Sequence, residues 1–188
     1  VIALRNISAA TIEEDIMRTL TVMKIALAAC IAWGIPGMAT AQTKALSDIE
    51  LLMIERDCQA LSLDYGYALD ANDGAAMAAL FAQDGVWDLR KIPPLKGRAA
   101  IQAYGEKLAK GRKPGETHRH VITNTRIFVK DRDHATGKAY LALYRYFANE
   151  PPNTDVTSPS IIVAFEDEYV RTDEGWRFKS RTSMRVRP

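Results

Sequence analysis

The chain has 188 residues, 47% of them hydrophobic and 26% charged, with a formal net charge of +2. That length and balance describe one domain's worth of globular protein and exclude a disordered polyelectrolyte. The net charge is too small, and its bases too scattered among acids, to indicate a nucleic acid or an acidic membrane surface as partner.

The amino terminus reads as a targeting segment. Residues 1–16 contain Glu13, Glu14 and Asp15, which suit neither a signal nor a domain. From Met17, Arg18 and Lys24 form a basic region, residues 25–35 an apolar core, and Ala39-Thr40-Ala41 an A-x-A cleavage signal. This predicts a secretory signal cut after Ala41, with translation starting at Met17 or Met23. The mature domain, residues 42–188, is then expected in the periplasm or outside the cell. The apolar run is too short to span a bilayer, so stable membrane insertion is not expected. A competing reading takes Leu27-Ala28-Ala29-Cys30 as a lipoprotein box with Cys30 lipid-bearing. The mature part keeps one cysteine, Cys58, which has no partner for an internal disulfide and is expected as a small buried apolar side chain.

Along the mature chain, residues 46–70 carry no proline and place Ile49, Leu52, Met53, Leu61, Tyr65, Ala68 and Leu69 at helical spacing. Ser47 and Glu50 are a capping box for that helix. Asp73 is placed to cap a short alanine-rich helix ending at Gly85. "VWDL" then predicts a short strand, "KIPPLKG" a loop, and residues 98–111 a third helix closed by Gly111. After it the composition changes to Val, Ile, Thr, Tyr and Phe in four β-like runs, 117–130, 138–148, 160–171 and 175–186. Three helices followed by an antiparallel meander predict an α+β fold with the helices on one face of the sheet. The alternating bases Arg177, Lys179, Arg181, Arg185 and Arg187 predict a basic, solvated outer face on the last strand.

"ETHRHVITNTRIFV" holds two of the three histidines, His118 and His120, which strand alternation sends to one face. That geometry can chelate a metal, but a site needs a third ligand, and His134 lies a strand length away in a turn. No metal and no cofactor are expected.

The segments "LSLDYGYALDANDGAAMAALFAQDGVWD", "LKGRAAIQAY", "HRHVITNTRIFV" and "YVRTDEGWRF", in that order, resemble the SnoaL-like branch of the nuclear transport factor 2-like superfamily over about residues 46–186. The resemblance implies a cone, with a strongly curved antiparallel sheet wrapped around a long first helix and an apolar pocket at one end. The family includes scytalone dehydratase, bile-acid 7α-dehydratase, polyketide cyclases, ketosteroid isomerases and non-catalytic members. In its dehydratases an aspartate ending the first helix faces a histidine on the second long strand, which implies catalytic roles for Asp70 and His120. The second histidine of scytalone dehydratase falls near residues 142–144, where this chain has none, and its pocket tyrosine falls at Leu89. The bile-acid branch places a functional tyrosine five residues before its aspartate, where this chain has Tyr65.

The dyad also makes chemical sense by itself. Imidazole can give or take a proton near neutral pH, and a carboxylate beside it fixes the tautomer and stabilises the imidazolium. The structural alternatives are a helix-terminating Asp70 and a satisfied core His120. His118 is expected at the rim. Tyr65, Trp87 and Tyr144 are the expected substrate contacts, Tyr144 sharing a strand face with Tyr140 and Tyr146. The function expected is a cofactor-independent lyase that removes water or a small aldehyde from a small, mostly apolar, oxygenated ring compound. An isomerase or a non-catalytic binding module is the alternative, and a homodimer or homotrimer the expected assembly, with residues 160–171 as one face for it.

Overall fold

The computed structural model describes residues 45–148 and 158–186. The signal segment, its cleavage site after Ala41, Cys30 and Arg187 lie outside the described residues. Among the described residues no helix is long and apolar enough to cross a membrane.

Helix α1 (Asp48–Asp70) opens on the capping box: Glu50 N–H donates to Ser47 Oγ at 3.3 Å, and Ser47 N–H to Glu50 Oε2 at 2.8 Å. Its buried side chains Ile54, Cys58, Leu61, Tyr65 and Ala68 recur at helical spacing and form the core with the sheet. Cys58 is fully buried, and burial pushes its thiol up to about 12, so it packs as an inert apolar group.

Asn72, left-handed at φ 61°, turns the chain, and Asp73 Oδ1 accepts the Ala76 N–H at 2.8 Å to start α2 (Gly74–Ala79). This helix stops six residues before the expected Gly85. Phe81 and Ala82 are buried, and the Phe81 ring lies 5.2 Å from that of Phe178. Burial against the last strand overrides the helix propensity of the alanine run, and the chain enters β1 (Phe81–Asp88). The predicted loop contains a two-residue strand, β2 (Leu95–Lys96), before α3 (Arg98–Lys110).

Four long strands follow: β3 (Glu116–Val129), β4 (His134–Phe147), β5 (Ile161–Thr172) and β6 (Gly175–Arg185). The sheet order is β2-β1-β6-β5-β4-β3. All neighbours are antiparallel except β1 and β6, which run parallel, so the sheet is mixed where a purely antiparallel one was expected. The sheet is curved and unclosed, and α1 packs against β3 and β6.

Two irregularities decide which side chains point inward. In β3 the register shifts between Thr123 and Arg126, around Asn124 at φ 53°. The inward set therefore changes from the even positions 118, 120 and 122 to the odd positions 127 and 129. In β6 a shift beside Lys179 does the same, because Glu168 pairs with Ser180 but Tyr169 with Phe178. The expected basic outer stripe is broken there: Arg181 turns into the core and is 0% exposed, bonded to Asp167. In β4 the inward positions are small or aliphatic, Ala135, Gly137, Ala139, Leu141 and Leu143. A Cβ on Gly137 would sit 2.8 Å from Ile127 Cδ1 and 2.9 Å from Tyr169 Cε2, which shows how crowded the inner side of the bend is. Tyr140 and Tyr146 take the outer face instead, beside Val121 and Ile162.

Candidate active site

The end of α1 and the start of β3 meet at the site. Gly66, one helical turn before Asp70, lets them approach: a Cβ there would lie 3.3 Å from the His120 carbonyl oxygen and 3.4 Å from Ile122 Cγ1. Asp70 then reaches across. Its Oδ1 accepts the His120 backbone N–H at 3.1 Å and pairs with His120 Nδ1 at 2.7 Å. One carboxylate oxygen thus fixes both the strand and the ring.

The C-terminal turn of α1 has no basic residue of its own to satisfy its last carbonyls. Arg112, just past α3, does this from outside, donating to the Leu69 and Asp70 carbonyl oxygens. It is a positioning residue for Asp70 that the sequence gives no local signal for, being 42 positions away.

His120 and His118 both line a cavity of about 480 Å³, with Leu69, Tyr104, Leu108 and Leu143. That volume is of the size that encloses a small organic molecule. Burial holds the His120 pKa below the ordinary histidine value, the nearby Asp70 opposing this only in part. That favours the neutral imidazole at pH 7. With Nδ1 committed to Asp70, Nε2 is the ring nitrogen left to a bound molecule.

His118 is not a rim residue. Its side chain is 12% exposed, close to the 9% of His120, and the two rings stand 5.9 Å apart. It has its own carboxylate: Nε2 pairs with Glu116 Oε1 at 2.7 Å. That hydrogen bond, with the Lys113 N–H, holds the Glu116 carboxyl down to about 2. The site holds two histidine–carboxylate pairs side by side on one strand face. His134 stands apart, paired with Asp131. Among the described residues no three His, Cys, Asp or Glu side chains gather as a metal-binding group.

The expected substrate contacts are placed elsewhere. Tyr65 is 2% exposed and Trp87 3%, and neither lines the cavity. Five residues on a helix turn through about 140°, so Tyr65 cannot share the face of Asp70. It packs edge-on to Trp87, Phe165 and Phe178, with the Arg181 guanidinium 4.4 Å from its centroid. Trp87 donates to Ser183 Oγ at 2.9 Å, a satisfied core position. Tyr144 alternates with Leu143 and Arg145, which line the cavity, so it lies on the opposite, outer face. The aromatic side chains that do reach the cavity are Tyr104 and Phe147.

Comparison with solved structures gives the same fold repeatedly. A candidate scytalone dehydratase from Novosphingobium aromaticivorans superposes with a TM-score of 0.62 at 22% identity, covering 75% of this chain and 89% of that one. LinA superposes at 0.60 with 23% identity, covering 76% and 92%. A single-residue variant of a protein of unknown function from Mycobacterium tuberculosis gives 0.60 at 23% identity, covering 77% and 79%. No match is found among curated protein sequences. The SnoaL-like domain family matches residues 50–182, most of the chain and all of the site just described, and the chain belongs to that family.

Proposed function

We propose that the protein is a cofactor-independent lyase working by acid–base elimination on a small oxygenated ring compound. The observation that carries this is the Asp70–His120 pair, 2.7 Å apart, with the imidazole lining a cavity. A neutral His120 can take a proton from substrate carbon through Nε2. Asp70 then stabilises the imidazolium that forms. The electron pair of the broken C–H bond becomes the new double bond as the neighbouring C–O bond breaks. The departing hydroxyl takes the Nδ1 proton of His118 in its imidazolium form and leaves as water. Glu116 on Nε2 of His118 leaves Nδ1 for that transfer. Loss of a small aldehyde from a hydroxymethyl group uses the same groups. Two solved structures of this fold carry names that denote eliminations, the candidate scytalone dehydratase and a hexachlorocyclohexane dehydrochlorinase, which supports the reaction class.

A metabolite screen with the purified chain, read by mass, tests this. Loss of water or formaldehyde that disappears in His120→Ala supports the lyase. A retained ligand with no mass change makes the protein a binding module instead.

Export belongs to the same proposal: cleavage after Ala41 delivers residues 42–188 to the periplasm. Fractionation of the native host with N-terminal sequencing should find Gln42 first. An uncleaved cytoplasmic chain, or lipid on Cys30, would replace this reading.

A further inference from the structure

The cavity beside the two histidines is electrostatically one-sided. Four of its lining side chains are cationic, Lys107, Arg112, Lys113 and Arg145, against one carboxylate, Glu116. Glu116 is already committed, to His118 at 2.7 Å and to Arg145 at 3.6 Å. Arg112 is spent on the carbonyls that end α1. Lys107, in the last turn of α3, has no hydrogen-bond or ion-pair partner among the described residues. Lys113 makes no ion pair among them and rests over the Phe147 ring, 5.8 Å from its centroid.

Two other clefts of similar size are differently charged. One of about 440 Å³ sets Glu50, Asp57 and Asp133 against Arg132 and Arg171. Another of about 620 Å³ sets Asp84, Asp131 and Glu168 against Lys130 and Lys179. Basic character continues past Ile161, which the histidine cavity shares with a cleft holding Arg90, Lys91 and Arg185. Like charges gathered around one partly dry cavity repel each other, and an entering anion relieves that repulsion.

We propose that the substrate carries an anionic oxygen substituent, a carboxylate or a phosphoryl group. It is held by Lys107 and Lys113 while the apolar ring packs on Tyr104, Leu108 and Leu143 toward the histidines. This rests on the cavity being the substrate site, and it changes the expected substrate from a mostly apolar compound to an amphipathic anion. The lysines bind and orient; the proton transfers stay with the histidines.

The test is equilibrium binding of three probes that share a ring: 2-naphthoate, 2-naphthyl phosphate and neutral 2-naphthylmethanol. Binding is followed by perturbation of the His118 and His120 imidazole NMR signals, which places each probe in this cavity. One or both anions should bind about tenfold more tightly than the alcohol at low salt, with the advantage shrinking as salt is raised. The stronger of the two identifies the oxyanion. The double variant Lys107→Glu, Lys113→Glu should lose that preference and keep the affinity for the alcohol, while Lys107→Arg, Lys113→Arg should retain it. Equal affinities in the wild-type chain, or a preference that survives charge reversal, would overturn the proposal. Turnover is not the readout. Anion preference without any elimination leaves this inference standing and sinks the lyase, and elimination of neutral compounds without anion preference does the reverse.

Discussion

Two charge pairs in this cone invite comparison, Asp70–His120 beside the cavity and Asp167–Arg181 in the core. Arg181 Nε and Nη2 each donate to Asp167 at 2.8 Å, Nη2 also donates to Ser62 Oγ, and the rings of Tyr65, Phe165 and Phe178 stand 4.0–4.4 Å from the guanidinium. Tyr169 O–H donates to the same carboxylate at 3.0 Å. That pair is sealed from solvent, Arg181 Nη1 being buried without a hydrogen-bond partner among the described residues, and neither side chain lines the histidine cavity. The dyad is also hydrogen-bonded, but one ring nitrogen is left over and faces open space. Charge sealed in a core fixes a structure, and charge held beside a cavity with one nitrogen open to it can react. Substitutions should separate the two.

The largest effect belongs to the core pair. Asp167→Ala leaves a fully buried guanidinium unpaired, which costs about 3–5 kcal/mol out of a stability of roughly 5–15 kcal/mol. Urea unfolding should show a large fall in midpoint or no folded protein at all. Replacing both charges, Arg181→Met with Asp167→Leu, should recover much of the loss, because no uncompensated ion remains.

The dyad should respond in the opposite sense. His120→Ala should cut turnover by about 10²–10⁴-fold with the urea midpoint nearly unmoved. Asp70→Asn should lower turnover less and leave ligand affinity largely intact, and the double variant should be no worse than His120→Ala alone, as for groups that act as one unit. A double variant whose losses multiply would mean that Asp70 and His120 act independently.

His118→Ala should follow, with a loss of roughly 10²-fold, the lower end for a general acid. The rim position expected from the sequence would have made this change mild. Glu116→Gln should move turnover in the same direction by a smaller factor, with KM little changed, if the carboxylate acts by orienting the ring.

These sites differ in how legible they were. The capping box, the three helices, the four long runs and the Asp70–His120 pair can all be read from local pattern or from family spacing. The limits lay where register decides. Alternation says that Tyr140, Tyr144 and Tyr146 share a face but not that the face is outer. The informative sign was the other row, Ala135, Gly137 and Ala139, since only small side chains fit the inner side of a tight bend. The basic stripe on β6 failed for a related reason: a bulge at one residue swaps faces, and nothing in "WRFKSRTS" announces it. Arg112 and the lysines of the cavity are brought in by tertiary contact from α3 and the turn after it, so no local spacing could reveal them. The second pair was within reach, because Glu116 and His118 are two apart on a strand and therefore on one face.

The smallest effect expected is a displacement along the pH axis. His120 acts as base in its neutral form, so kcat/KM falls as pH drops through its pKa. Burial is the main cause holding that pKa below 6.5, and the Asp70 carboxylate pushes the other way. The acid limb of the wild-type profile should thus bend below 6.5. Asp70→Asn removes the opposing charge while keeping the hydrogen-bond shape. The residual activity of that variant should therefore bend at a still lower pH, even though its plateau is reduced. Substituting a neutral amide for a group that merely held the strand would lower the plateau without moving the limb. A limb that stays in place, or moves toward higher pH, would show that Asp70 does not act electrostatically on the base, and that its bond to the His120 backbone is its whole contribution.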